Sequence, residues 1–143
     1  MKISDVLRSK GGGVVTVKPD ETVSGLLALL DDHRIGAVVV STDGVTVDGI
    51  VSERDIVRHL HATGTSVLDA PVSQIMTSEV TTGTADDEIA DLAGTMTEMR
   101  VRHVPIVDAD GKLTAIVSIG DIVKHRLSEL QSEAEQLRSY ISS

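Results

Sequence analysis

The chain carries the same sequence pattern twice, at a constant offset of 66 residues (34 + 66 = 100). Residues 14–59 align with residues 80–125 without a gap, and 13 of the 46 aligned pairs are identical, Arg34 and Arg100 among them. A chance match would not keep this register through strands and turns alike. The sequence therefore predicts two copies of one structural unit.

The first copy predicts the element order β-α-β-β-α. Residues 14–17 form a short apolar strand, and the acidic segment 20–22 opens a helix, because negative charge suits a helix N-terminus. Strands are expected at Ala37–Val40 and at 47–51, and a final helix at about 52–60. The apolar residues of these strands are mostly β-branched, which favours a pleated, buried surface.

The second copy predicts the same order with a weaker first strand. That strand covers 80–82, the next two cover 104–107 and 113–117, and the last helix runs from Ser118 to about Leu127 or beyond. One copy is too short to bury a stable core alone. We therefore expect the two copies to pack together about a pseudo-two-fold axis.

The repeats divide the chain into three parts. Residues 1–62 form the first repeat, 63–126 the connector and second repeat, and 127–143 a helical tail. Each repeat has a similar lead-in, since 72–76 echoes 3–7. A loop is expected at 63–66 and a flexible glycine loop at 11–13, where no Gly-Lys-Ser/Thr follows to make a phosphate loop.

Composition excludes several classes of function. A formal net charge of −9 repels a nucleic-acid backbone, and one Tyr without Phe or Trp offers no platform for stacked bases. Without cysteine there is no thiolate metal site, and no metal site of another kind is predicted. No run of apolar residues is close to the length of about 18 that a membrane span needs. We expect a soluble, cytoplasmic protein that binds neither nucleic acid nor membrane.

Several motifs recur in order in both copies. The sequences Gly-Ile-Val-Ser-Glu-Arg-Asp-Ile-Val at 49–57 and Ala-Ile-Val-Ser-Ile-Gly-Asp-Ile-Val at 115–123 end the two repeats, and Val-Arg-His-Val-Pro-Ile-Val-Asp spans 101–108. Over about residues 2–126 this pattern resembles a tandem cystathionine-β-synthase (CBS) domain pair, most closely the small stand-alone proteins of that family. The resemblance implies an α/β (α+β) fold of two βαββα repeats about a pseudo-two-fold axis, followed here by a C-terminal amphipathic helix.

The resemblance also implies a function. Such a pair, also called a Bateman module, is a non-catalytic regulatory unit that requires no cofactor and binds an adenine nucleotide in clefts between its repeats. The expected ligands are AMP, ADP, ATP, NAD(H) or S-adenosylmethionine, with an AMP-like nucleotide favoured. The family further implies a homodimer, parallel or antiparallel, and an unidentified protein that the module regulates.

The two Ser-x-x-Asp motifs have two interpretations. By pattern alone, Ser52 with Asp55 and Ser118 with Asp121 resemble capping boxes at helix starts. The resemblance implies that each Asp accepts hydrogen bonds from the ribose hydroxyl groups, while the Ser reaches ribose or phosphate. The free N–H groups of a helix N-terminus favour phosphate as well, and both interpretations can hold at once.

The pair Arg102-His103 interrupts an apolar stretch. Its side chains either lie on an exposed edge or, as the resemblance implies, bind the phosphate group. The first copy has Gly36-Ala37 at these positions and lacks the cations, although Arg54 could supply charge. We expect two unequal clefts, with the second-copy cleft the tighter phosphate site. The base would pack among aliphatic side chains and backbone near Thr16, Val38, Thr82, Val104 and Pro105.

The tail has apolar residues at steps of three and four. They are Leu127, Leu130, Ala134, Leu137 and Ile141. This spacing predicts an amphipathic helix that either folds back over its own module or packs against a second protomer. We favour the dimer contact, because the family generally dimerises through helices.

Two other classes of function stay open. A nucleotide-processing enzyme would need a base or a metal near the phosphate, and the sequence offers only Glu53, Asp55 and His103 there. No nucleophile with a base and an orienting group is readable, so no catalytic residue is predicted. A purely structural interaction protein would use the Ser-x-x-Asp motifs only as helix caps.

Overall fold

The structure is a computed structural model that describes residues 1–11 and 13–142. Gly12, in the predicted glycine loop, and Ser143, at the end of the predicted tail, lie outside the described residues. The α-helices of the described part are α1 (Ile3–Lys10), α2 (Val23–His33), α3 (Glu53–Thr63), α4 (Ile89–Met99) and α5 (Ile119–Ser142). The strands are β1 (Thr16–Val17), β2 (Ala37–Val40), β3 (Gly49–Ser52), β4 (His103–Val107) and β5 (Leu113–Ser118).

The two halves repeat in the register that the sequence predicts. Helices α2 and α4 have 11 residues each and lie 66 positions apart (23 + 66 = 89). Strand β2 pairs antiparallel with β3, with Ala37 opposite Ser52, and β4 pairs antiparallel with β5, with His103 opposite Ser118. The predicted α+β architecture of two repeats with a C-terminal helix is thus confirmed.

The first helix of each copy ends in the same backbone conformation. Arg34 and Arg100 follow α2 and α4 with left-handed φ angles of 52° and 55°. The backbone N–H of Arg34 donates to the carbonyl groups of Leu30 and Asp31, which satisfies two free carbonyls of the last turn. Because this conformation is uncommon outside glycine, its presence in both copies supports a shared local design.

The first strand of the second copy is weaker than predicted. No strand forms at 80–82, and the pairing is reduced to one parallel bridge between Gly83 and Ile106. Gly83 stands where the first copy has Val17, and glycine weakens a strand because it has no side chain to pack. Thr84 then bonds to the carboxylate of Asp87 through its N–H (2.9 Å) and its hydroxyl group (3.0 Å), which turns the chain into a loop.

Each copy completes its core with a lead-in segment from elsewhere in the chain. Ile3 and Val6 of α1 are buried in the core of the second copy, together with α4, β4 and β5. Val72 and Ile75 of the connector are buried in the core of the first copy. The lead-in segments therefore pack across the sequence division at 62/63, which itself stays a prediction.

Matching backbone hydrogen bonds hold the two lead-in segments. The N–H of Ile3 donates to the carbonyl of Asp87 (2.9 Å), and that of Val72 donates to the carbonyl of Glu21 (2.8 Å). Glu21 and Asp87 are themselves 66 residues apart, so the two contacts are equivalent. The connector also forms 3₁₀ turns at Gly64–Asp69 and Val72–Gln74, where a loop was expected at 63–66.

Helix α5 continues the last helix of the second repeat through the tail without a break. Its 24 residues include the predicted amphipathic segment. Leu127 and Leu137 are exposed, so the tail does not fold back over its own module. Among the described residues, no helix combines the length and apolar character needed to span a membrane.

The crossed packing makes a prediction about stability. Ile3→Ala should destabilise the fold by about 2–5 kcal/mol, the range for large-to-small changes in a core, although Ile3 lies outside the repeated segment whose core it fills. Urea unfolding of the full chain measures the change. Val45→Ala, at an exposed valine, is the control and should change stability little. Equal unfolding midpoints for the two variants would contradict the packing of α1.

Candidate functional site

A cleft of about 340 Å³ lies between the two copies. This volume falls within the roughly 300–1,000 Å³ typical of small-molecule sites. Equivalent positions of both copies face it: Gly36 and Ala37 from the first, Arg102 and His103 from the second. The other lining residues are Ile50, Ser52, Glu53, Arg54, Asp55, Arg58, Thr77, Glu79, Val80, Thr81, Arg100 and Val101.

The N-terminus of α3 contributes a capped helix start to this cleft. The backbone N–H of Ser52 donates to Oδ2 of Asp55 (2.8 Å), and the N–H of Asp55 donates to Oγ of Ser52 (3.4 Å). The capping-box interpretation is therefore confirmed. The hydroxyl group of Ser52 also donates to Oδ2 (3.0 Å), so the carboxylate is held in place, and no described group donates to its Oδ1 atom. One carboxylate oxygen thus remains available to a ligand.

Four arginines line the cleft, although the chain is acidic overall. Arg54, Arg58, Arg100 and Arg102 are half of the eight arginines in the sequence. The ion pairs of the described residues involve other groups, and none of these four guanidinium groups forms a side-chain hydrogen bond within the described protein. Three carboxylates, Glu53, Asp55 and Glu79, line the cleft as well. Because guanidinium groups bind phosphate and carboxylate oxygens in pairs, the unpaired arginines can bind an anion.

Two of these arginines were not predicted from the sequence. Arg58 lies one turn after Arg54 on α3, and residues four apart share a helix face. Arg100 takes the left-handed conformation at the end of α4, directly before the segment that carries Arg102. The i, i+4 spacing of Arg54 and Arg58 and the identity of Arg100 with Arg34 were the sequence signals that could have identified these two arginines.

His103 is partly buried at the start of β4, and its environment disfavours the imidazolium form. Burial lowers the pKa of His103 below its usual value, and the positive charges of Lys10 and Arg102 lower it further. The carboxylates of Asp121 and Glu53 act in the opposite direction without cancelling the effect. The neutral form of the ring is therefore favoured.

The cleft brings together part of the predicted site. Gly36, Ala37, Ser52, Arg54, Asp55, Arg102 and His103 line it. The other predicted residues do not: Thr16, Val38, Thr82, Val104, Pro105, Ser118 and Asp121. Val38 and Val104 belong to the two hydrophobic cores instead. In the cleft, the Arg-His pair of the second copy faces the Ser-x-x-Asp motif of the first copy.

The second Ser-x-x-Asp motif is also a helix cap, at the start of α5. The N–H of Ser118 donates to Oδ2 of Asp121 (2.9 Å), and the N–H of Asp121 donates to Oγ of Ser118 (3.1 Å). Unlike Asp55, Asp121 has a cation of the protein beside it, because the ammonium group of Lys10 lies 2.8 Å from Oδ2. Within the described ranges, no three His, Asp or Glu side chains are grouped as metal ligands.

Solved structures share this architecture. The chain superposes on the crystal structure of a CBS-domain-containing protein from Agrobacterium tumefaciens with a TM-score of 0.84, 41% identity, and coverage of 88% of this chain and 99% of that one. A CBS domain protein from Pyrobaculum aerophilum, solved in complex with AMP, matches with a TM-score of 0.72 and 28% identity over 85% of this chain and 89% of that one.

Sequence comparison agrees. A mitochondrial CBS domain-containing protein of Arabidopsis thaliana is 34% identical over 147 aligned residues, which cover 97% of this chain and 71% of the relative. Since that relative is mitochondrial, the expected cytoplasmic location stays a prediction. The family model for the CBS domain matches twice, at residues 3–62 and 72–128. The chain belongs to the CBS domain family.

Proposed function

We propose that the chain is a non-catalytic regulatory module that binds an AMP-like adenine nucleotide in the cleft between its repeats. The observation that carries the proposal is the set of four unpaired arginines facing the Ser52–Asp55 cap in one cleft of an acidic chain. The AMP complex of the Pyrobaculum relative supports this choice of ligand. The nucleotide would be bound and released unchanged.

Each part of the nucleotide has a matching group in the proposal. The free Oδ1 atom of Asp55 accepts hydrogen bonds from the ribose hydroxyl groups, as an acceptor-only carboxylate can. Arg102 and His103 bind the phosphate group from the other copy. The base packs against apolar lining residues, Ile50 and Val101, rather than stacking on an aromatic ring.

The charge of the cleft ranks the candidate ligands. The four arginines of the cleft outnumber its three carboxylates, Glu53, Asp55 and Glu79. S-adenosylmethionine carries a positive sulfonium centre and has no phosphate group for Arg102 and His103 to bind. AMP, ADP, ATP and NAD(H) are all anions and gain from the same field. We therefore expect the phosphate-containing ligands to bind more tightly than S-adenosylmethionine.

The ribose role can be tested with two matched variants. Asp55→Asn should weaken AMP binding by about tenfold to a hundredfold, since hydrogen bonds to charged groups contribute about 1.5–3 kcal/mol. Asp121→Asn changes the equivalent cap of the other copy and should leave the affinity nearly unchanged. Isothermal titration calorimetry gives both dissociation constants.

Thermal unfolding with AMP gives an independent check. Ligand at about a hundred times its dissociation constant should add roughly 2.7 kcal/mol of stability. Arg102→Gln should reduce that shift, whereas Arg138→Gln, on the exposed tail, should not. A flat response to every nucleotide would show that the Ser-x-x-Asp motifs are only caps, and turnover of AMP or ATP with magnesium would favour the enzyme alternative.

His103 predicts a pH dependence of binding. The pKa of His103 is low in the free protein and should rise beside a phosphate dianion, so a proton is taken up on binding between the two pKa values. AMP affinity should therefore increase as the pH falls from about 8 to about 6. In His103→Asn this increase should be smaller, and the titration of the phosphate itself cancels in the comparison. Identical pH profiles would place His103 away from the phosphate.

We further propose that the chain forms a homodimer through α5. The apolar residues of its tail repeat at alternating steps of three and four, the spacing of a coiled-coil seam. The leucines and the isoleucine among them are exposed in the single chain, from 47% for Leu130 to 81% for Ile141. A stripe of this length in water favours burial against a second copy.

The dimer proposal is tested with two double variants. Leu130→Glu/Leu137→Glu places charge in the seam and should convert a dimer into a monomer in analytical ultracentrifugation. Ser132→Glu/Gln136→Glu adds the same charge on other faces of α5 and should remain dimeric. A wild-type chain that sediments as a monomer would contradict the proposal.

The regulated partner is a further part of the proposal. The binding cleft is assembled from both repeats, so a bound nucleotide would fix their relative position and change the surface offered to another protein. This module supplies the sensor, and we expect the regulated protein to dock on that surface in the cytoplasm.

A further inference from the structure

Lys10 makes two contacts in the second copy. Its ammonium group donates to the backbone carbonyl of Ile116 (2.6 Å) and to Oδ2 of Asp121 (2.8 Å). Both acceptors lie more than 100 residues from Lys10 along the chain, on β5 and at the start of α5. The contacts join the end of α1 to the carboxylate that is equivalent to Asp55.

In the first copy, a backbone N–H and not a cation binds the equivalent carbonyl group. Ile50 is the counterpart of Ile116, and its carbonyl accepts a hydrogen bond from the backbone N–H of Thr77 (2.9 Å). The carboxylate of Asp55 interacts only with Ser52 within the described protein. In the second copy a lysine ammonium group therefore takes the position that a peptide N–H takes in the first, and also binds the neighbouring carboxylate.

The end of α1 is fixed, so this lysine is not a freely moving surface side chain. Ile3 and Val6 anchor the helix in the second core, and Oγ of Ser9 lies 2.9 Å from Nε2 of His125 on α5. The equivalent lead-in of the first copy has only the short turn Val72–Gln74, whereas α1 has eight residues. The longer helix carries residue 10 to the edge of β5.

Electrostatic interactions favour the contact between Lys10 and Asp121. Burial raises the pKa of Asp121, but hydrogen bonds from Lys10 and Ser118 outweigh it and hold the pKa below its usual value. A ribose would have to displace an ammonium group from an ionised carboxylate. Gly36 and Ala37, the first-copy counterparts of Arg102 and His103, carry no cation that could add a phosphate contact.

From these contacts we infer that the ammonium group of Lys10 occupies the ribose-binding position at the second Ser-x-x-Asp motif, Ser118 with Asp121, which restricts the module to one bound nucleotide. The inference rests on the proposed function of the first cleft. Removing the ammonium group should open a second site at Ser118 and Asp121.

The test is AMP titration calorimetry on the full chain. The wild type should bind one AMP per chain, and Lys10→Met should bind two, the second of them lost again in Lys10→Met/Asp121→Asn. Lys10→Arg should stay at one, because a cation is retained. Lys18→Met removes an exposed lysine elsewhere and should also stay at one.

A double variant separates the inference from the proposed function. Lys10→Met/Asp55→Asn should bind AMP more tightly than Asp55→Asn alone, because the site at Ser118 and Asp121 is then open and keeps its carboxylate. One site in both wild type and Lys10→Met, or two sites in the wild type, would overturn the inference and leave the proposed function standing. No binding to any of these proteins would overturn the proposed function and the inference together.

Discussion

The crossed packing of the two lead-in segments is the constraint on which the rest of the structure depends. Ile3 completes the core of the second copy and Val72 that of the first, and equivalent backbone hydrogen bonds at Asp87 and Glu21 hold them there. To complete its hydrophobic core, each copy needs the lead-in segment that precedes the other copy in the sequence. The two copies are therefore linked through their cores, and the cleft lies between them.

The residues that give the cleft its shape and charge lie at positions where the two copies differ in sequence. Gly36 and Ala37 leave space at one end of β2, while Arg102 and His103 place charge at the equivalent end of β4. Arg54 has Gly120 as its counterpart, so the helix that starts at the first Ser-x-x-Asp motif also carries a cation that the second lacks. The two copies have equivalent backbone folds, and a few sequence differences between them concentrate positive charge in one cleft.

Much of the fold could be predicted from the sequence because it depends on local patterns. The offset of 66 residues set the register of both hairpins, and Ser-x-x-Asp marked both capped helix starts. The site was predicted less completely, since it depends on which copy faces which. The sequence grouped Arg102 with Asp121, whereas the packing brings it to Asp55. The role of Lys10 had no local signal, because its acceptors are more than 100 residues away.

In the proposed complex, one nucleotide contacts both copies at once. A crystal structure of the full chain grown with AMP tests it most directly. We expect the ribose hydroxyl groups within hydrogen-bonding distance of Asp55 and the phosphate group beside Arg102. A ribose seated on Asp121, with Lys10 displaced and the cleft at Asp55 empty, would contradict it.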